Sequence, residues 1–432
     1  MSEPSCSALA ARLRAVTDGC EALGDVAGLR VFDTLGALAA GASVQATRAL
    51  PPDPGLLGEV RRACAAARCT EVDDFERLSC TTPGSVAVPV ALLVGADRDA
   101  PPGRVLAGVV AGYEAMVAVG EAIDGPARLA RGVWPSYLGA PVAAAAATAA
   151  TLGLDDGRTA HALAIAATRA VGTAGRIAQE PMSRWLVYGC AAADGVLAAL
   201  AAEAGMLGDL DALAGALPAA TGVAFDAARI PAPAPRIAGM DVKPFCTARQ
   251  ALAAVEAARE ARAEAGGGAV REIEVAVPAA YRAMIDRPEP AGRLESIVSA
   301  QRQIALALTD DDGLYDVARG DLALPEGAAE LMRVTRVVAD DELGALYPEA
   351  WGARVRVRTD AGEATRLVRE PLGGRERPLG WDELRSKHER IGAWGDALPR
   401  ALRLCRDLGA GALPARELLD LTTEDLRQEV VS

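Results

Sequence analysis

Residues 230–239 read IPAPAPRIAG, and this stretch separates two kinds of sequence. Prolines at 231, 233 and 235 rule out a helix or an inner strand, so the segment reads as a linker. Before it, Ala-rich helical patterns cover 22–42, 56–68, 103–123, 139–152, 157–171 and 184–205, joined by turns such as Leu154-Asp155-Asp156-Gly157. Alanine has the highest helix propensity, and its small side chain lets helices approach closely. After the linker, one more helical pattern (243–263) leads to the glycines 266–268. REIEVAVP (271–278), VTRVVAD (334–340) and ARVRVRTDAGEATRLVRE (353–370) then alternate as strands do, the last with a hairpin turn at 360–362. From Trp381 the pattern is helical again to about residue 427. The expected domains are a helical bundle (1–239), a small α/β domain (240–378) and a helical return (379–432).

Composition narrows the class. The chain has 432 residues, which suits two or three domains, and 51% of them are hydrophobic, with few aromatics. The net charge of −13 gives no overall attraction for nucleic acid or an anionic membrane. It does not exclude an acidic ligand, because a local arginine cluster can hold one. The basic residues are almost all arginine; the lysines are Lys243 and Lys387. Eight scattered cysteines form no CxxC pair, and with two histidines a metal site is not expected. Reduced, buried thiols and the lack of an apolar leader suggest a cytoplasmic protein. The uncharged run 132–154 has the length of a membrane span, but its Trp134-Pro135-Ser136-Tyr137 start and Ala-rich body read as a buried helix.

EVDDFERLSCTTPGSVAVPVALLVG (71–95) places four acidic residues before an uncharged turn and an apolar helix. Pro83 suits the first helical turn and Thr82 its cap.

Taken together, these segments resemble the MmgE/PrpD family of 2-methylcitrate dehydratase and its relatives. VFDTLGALAAG (31–41) resembles the family's opening helix, and DDFE with CTTPGS (73–85) its DDxH and HPG elements. AGYEAMVAVGEAI (111–123) is similar to its GYE helix, and WPSYLGAPVAAAAATAATLGLD (134–155) to its HPTxxxGxxGAAAAAA stretch. RWLVYGCAAADGVLAALAAEAG (184–205) resembles its KxLHxGxAA helix, and DVKPFCTARQALAAVEA (241–257) its KPYPxC segment. The resemblance implies a mainly α fold: an all-helical domain made from both chain ends, an inserted α/β lid, and a homodimer. It implies an active site in the cleft between them and cofactor-independent dehydration, decarboxylation or epimerisation of small di- and tricarboxylates.

The chain departs from that family at its histidines. Glu76, Thr82 and Trp134 stand where the family has histidine, and Arg184 stands where it has lysine. Thr247, Ala248, Arg249 and Gln250 occupy the region of another family histidine, and Arg302 falls near an expected tyrosine. Asp73, Asp74 and Lys243 remain. His161 sits in an apolar helix and reads as a core or capping residue; His388 sits in a charged helix and reads as solvated.

The shared chemistry of such enzymes moves a proton next to a carboxylate and stabilises the charge that develops. Lys243 is the leading acid–base candidate, with Asp73, Glu76 and Tyr137 beside it. Crowding of Asp73, Asp74 and Glu76 is expected to raise at least one carboxyl pKa. Arg184, Arg249, Arg302 and Arg131 are candidates for holding a substrate carboxylate as a fork; pairing with local acids is the alternative. Thr81, Thr82 and Ser85, with free N–H groups at a helix start, are candidates for cradling it. Asp74, Ser136 and Gln250 complete the binding set; Trp134 and Tyr137 are pocket walls, and Tyr281 a weaker candidate from the lid. Cys80 and Cys246 read as packing residues. Three functions stay open: a lyase or isomerase of a small carboxylic acid, a scaffold redirected to isomerisation or cyclisation in secondary metabolism, and a catalytically silent binding subunit.

Overall fold

The structure, a computed structural model, describes residues 3–170, 182–409 and 415–428. They fall into two compact units. The first contains 3–170, 182–240 and 384–428; the second contains 241–383. The fold is mainly helical, with a four-stranded mixed sheet in the second unit.

The first unit opens with eight long helices: α1 (Ser5–Thr17), α2 (Gly24–Gly41), α3 (Leu56–Cys69), α4 (Gly84–Asp97), α5 (Pro102–Ala122), α6 (Pro135–Leu152), α7 (Asp156–Ala167) and α8 (Ser183–Glu203). Glycine and alanine set their spacing. A Cβ at Gly112 of α5 would lie 2.6 Å from the Ala87 Cβ of α4, so these helices touch almost backbone to backbone. Gly195 of α8 packs in the same way on the Pro141 carbonyl of α6. Two of these helices, α5 and α8, are long and apolar enough to cross a membrane. In α5, 94% of the apolar window is buried by the rest of the protein, which makes it a core helix. The uncharged run at 132–154 becomes α6, most of it buried.

In the second unit α9 (Arg249–Glu264) covers a four-stranded sheet, with α10 (Ala300–Thr309) packed beside α9. The strands are β1 (Val270–Val277), β2 (Thr335–Ala339), β3 (Ala353–Thr359) and β4 (Glu363–Val368), in the order β2-β1-β3-β4. β1 and β2 are parallel (Ile273 opposite Thr335); the other pairs are antiparallel (Val275 opposite Val355, Val355 opposite Arg366). The period-2 pattern explains both faces. Ile273, Val275, Val277, Val355 and Val357 are fully buried, while Glu272, Glu274, Arg336, Arg356 and Arg358 form an ion-pair lattice on the other side. The helix expected from 243 starts six residues later, at Arg249, because Pro244 and the extended Ala248 hold 241–248 out of helical geometry.

The chain closes with α11 (Trp381–Arg390), α12 (Leu398–Gly409) and α13 (Ala415–Gln428). From Leu384 onward these belong to the first unit. Here one expectation is corrected: His388 is not solvated. It is fully buried, edge-on to Phe32 (4.6 Å between ring centroids) and to Trp394 (5.3 Å), over the bare Cα of Gly36. α11 turns Leu384, Lys387 and His388 inward as one i, i+3, i+4 face and keeps its other charged residues off that face. His161 reads as expected: its Nδ1 lies 3.2 Å from both the carbonyl and the amide of Gly208.

Candidate functional site

In the first unit the acidic loop after α3 is built around Arg68. This buried guanidinium pairs through Nη1 with Glu71 (2.9 Å) and Asp73 (3.4 Å). Glu71 and Cys80 both adopt left-handed backbone (φ 57° and 54°), and Glu76 and Thr81 exchange backbone hydrogen bonds of 2.8 and 3.3 Å. The loop is therefore a small hairpin with its side chains buried, and not the first turn of a helix. Arg131, in contrast, is exposed.

Asp74 lies beneath the turn that follows. Its Oδ2 accepts from the Tyr113 hydroxyl at 2.6 Å and its Oδ1 from the Gly84 amide at 3.0 Å. Burial pushes its carboxyl up to about 7, against the Tyr113 hydrogen bond, with the Asp73 charge adding a smaller push. The raised carboxyl expected from crowding is thus present, but desolvation is its main cause. Both oxygens are engaged within the protein, where they hold the turn.

Most donors of the cradle expected at 81–85 have protein acceptors. Thr81 N donates to Glu76 O, and Thr82 N to the Ser136 hydroxyl at 3.0 Å. Gly84 N is held by Asp74. Ser85 Oγ bonds to Thr82 O and to the Tyr188 hydroxyl, both at 2.9 Å. Thr82 does not cap α4 with its side chain; Pro83 precedes the helix and the Thr82 hydroxyl meets Ser136 at 3.2 Å. Thr81, Thr82, Ser85 and Ser136 thus lock the turn to the neighbouring helices. Tyr137 donates its hydroxyl to the Arg184 carbonyl at 3.0 Å, and burial raises its pKa, so in this arrangement its proton is spent on the backbone. Glu76 accepts the Ser79 amide at 2.6 Å.

Arg184, at the start of α8, is different. It is 2% exposed. Its Nε and Nη2 are buried and have no acceptor among the described residues. Its guanidinium carbon lies 4.7 Å from the ring centre of Trp134 and 5.1 Å from that of Trp185. Arg68 lies near the same two rings, at 5.7 and 5.6 Å, but its charge is met by Glu71 and Asp73. Each buried donor without an acceptor costs about 1–3 kcal/mol. Nε and Nη2 are the two donors on one edge of the guanidinium, the pair that binds both oxygens of a carboxylate. Sequence analysis named Arg184 and Trp134 as candidates and did not name Arg68, Trp185, Tyr113 or Tyr188, although Tyr113 is the tyrosine of the GYE pattern and Trp185 and Tyr188 lie in the stretch that opens with Arg184.

In the second unit Lys243 is buried in a segment fixed at both ends. Val242 N donates to Gly373 O at 2.7 Å, and Cys246 N to Leu314 O at 3.0 Å. Gly373 has φ 86° and its Cα rests on the Val242 carbonyl, so only glycine fits there. Cys246 O accepts from Gln303 and Arg319; both Cys80 and Cys246 are buried. Arg249 binds Asp241 through Nε at 2.8 Å. Gln250 is buried on the same first turn. Tyr281 donates to Gly352 O and stacks on Trp351. The two Nη groups of Arg302 donate to the carbonyls of Leu322 and Ala323, so it braces a backbone segment. No group of three potential metal ligands occurs among the described residues.

Residues 63–227 match the MmgE/PrpD N-terminal domain and residues 245–397 the MmgE/PrpD C-terminal domain. The chain belongs to the MmgE/PrpD family. Members are typically lyases and dehydratases, which supports an enzyme at the level of the family. No curated protein matches the chain.

Proposed function

We propose that this MmgE/PrpD protein is a lyase or isomerase of a small carboxylic acid, acting by proton transfer next to a carboxylate. The observation that carries the reading is the Arg184 edge, whose buried Nε and Nη2 have no acceptor among the described residues. A carboxylate there would satisfy both donors. The same guanidinium would stabilise the dianionic character that develops when the α-proton leaves, because a fixed positive group in a dry site acts strongly on developing charge. Lys243 and Asp73 are the groups proposed to move the proton. Trp134 and Trp185 would exclude water from the ion pair. The same two rings favour a second reading, redirection of the scaffold to a larger or more apolar acid, since the family places histidine where Trp134 stands.

The test is proton NMR of the protein in deuterium oxide with citrate, methylcitrate, cis-aconitate, malate and amino-dicarboxylates. Exchange or conversion of one acid, lost in Arg184→Ala and in Lys243→Ala, is the expected result. Full turnover in Arg184→Ala would overturn the proposal. Silence of the wild type across the panel would favour the larger acid, and the binding-subunit reading after it.

A further inference from the structure

The proline-rich linker crosses the first unit, and arginines tie it down. Pro231, Pro233 and Pro235 have no N–H to give to a neighbouring strand. Carbonyls of the segment are held instead. Arg12 of α1 donates through Nη1 to Pro231 O at 2.5 Å, and Arg30 of α2 through Nε and Nη2 to Ile237 O and Met240 O, both at 3.2 Å. Between those ends Arg236 turns onto α5, where its Nη1 and Nη2 meet the two oxygens of Glu121 at 3.1 and 3.2 Å. Glu114 lies two turns earlier on the same helix face. It takes Arg12 at 2.5 Å and faces the Arg236 Nε at 4.0 Å. Glu114 and Glu121 are 1% and 7% exposed. The clamp is only partly satisfied, since Glu114 Oε2 and Arg236 Nε are buried and have no hydrogen-bond partner among the described residues. Arg236 keeps 16% of its side chain exposed, which gives it a way out to solvent. The charges that act on Glu121 are Arg236 from the linker, Glu76 from the hairpin, Arg12 from α1 and Glu114 on its own helix. Beyond the helix end, Asp124 and Arg229 pair with each other at 3.1 Å. Burial pushes the Glu121 carboxyl up to about 7; Arg236 pulls it down and Glu76 pushes it further up.

We infer that residues 230–240 form an acid-released strap: the Arg236–Glu121 pair fastens it while Glu121 is ionised, and a proton on Glu121 frees Arg236 to solvent. The anchors at the two ends are arginines on carbonyls, which do not titrate in this range, so release is confined to the middle of the strap. Met240 ends this part of the first unit and Asp241 begins the second. The strap is therefore the path of the chain out of the bundle, and pH sets how firmly that path is held. Nothing in the device depends on an acid bound at Arg184.

The test is limited trypsin digestion of the full-length protein between pH 6 and pH 8.5, with the cut after Arg236 followed by mass spectrometry. Trypsin must draw the arginine into its own acidic pocket, so a clamped Arg236 resists it. Each rate is divided by that of the free peptide 224–240 at the same pH, which removes the pH dependence of the protease. The normalised rate should rise about tenfold or more towards pH 6, while the cut after the exposed Arg229 changes much less. Glu121→Gln, which cannot ionise, should give the high rate throughout. A flat wild-type profile overturns the inference, and so does an equal rise at Arg229, which would mean general loosening. A slope that persists in Glu121→Gln, or that vanishes only in Glu114→Gln, overturns it too. If Glu121→Gln does not fold, Glu76→Gln decides. Removing that neighbouring acid charge should shift the midpoint to lower pH, and a midpoint that stays in place overturns the assignment to Glu121.

Discussion

The Lys387 ammonium donates to Asp33 Oδ1 at 2.5 Å and to the Val72 carbonyl at 2.6 Å, with both side chains almost wholly buried. The pair joins α11 to α2 and to the strand-like loop that carries Asp73 and Asp74. Breaking one side of a buried ion pair leaves a buried charge without its partner and typically costs about 3–5 kcal/mol. Lys387→Met should therefore lower stability by that amount in urea titrations. The double variant Asp33→Leu with Lys387→Met should recover most of it. Equal loss in single and double variants would show that the pair is not the source.

Asp74 predicts a pH effect of definite sign. Its folded pKa of about 7 lies above the ordinary value of 3.8 because the buried carboxyl prefers its proton. Between those values the folded state binds the extra proton, so this group's contribution is full below about pH 4 and is lost as pH rises through 7. Asp74→Asn removes the titration but keeps an acceptor for Gly84 N. Its stability relative to wild type should rise between pH 5 and pH 8. Parallel profiles would contradict the assignment.

His388 gives the reverse dependence. Burial, with the neighbouring Lys387 charge, holds its pKa well below 6.5. The unfolded chain then binds the proton first, and stability falls as pH drops below 6.5. His388→Phe should flatten that acid limb in calorimetric scans. Gly36→Ala should destabilise by about 1–3 kcal/mol, since its methyl would enter the imidazole.

Gly373→Ala tests Lys243 without touching it. A Cβ there would collide with the Val242 carbonyl, and the backbone angle disfavours it. The expected outcome is a fall in kcat of about tenfold or more in the folded protein, since misplacement on the order of 1 Å has such effects, together with a lower Tm, because alanine is strained at this backbone angle. Unchanged kcat would separate Lys243 from the chemistry.

Trp134→Ala removes one of the two rings near Arg184. A cation–π contact of this kind contributes about 0.5–2 kcal/mol. Substrate KM should rise correspondingly while Trp134→Phe stays closer to wild type.

Much of this architecture can be read in the sequence, because long Ala-rich runs end at glycine, aspartate or proline and the strands alternate cleanly. α6 and β1 lie within a few residues of where their patterns place them. Burial of charged side chains is harder to read. α11 looks solvated by composition, yet Leu384, Lys387 and His388 share a face, a spacing that was available but hidden among the five other charged residues of the helix. The 81–85 turn looked like an anion cradle because a helix start offers free amides. Its acceptors come from Asp74 and from Ser136, 54 residues beyond Thr82, and no local pattern announces the latter. Arg184 and Arg302 are indistinguishable as letters; only the carbonyls around Arg302, and their lack around two Arg184 nitrogens, separate them.

The Lys387–Asp33 pair also bears on synthesis. Asp33 leaves the ribosome long before Lys387, with the whole second unit translated in between. The two partners are 354 residues apart, so at roughly 5–20 residues per second the nascent bundle carries an uncompensated acid for about 20–70 seconds. During that interval the groove that will receive α11 stays open, and any chaperone that shields it has a window set by the length of chain between the two partners.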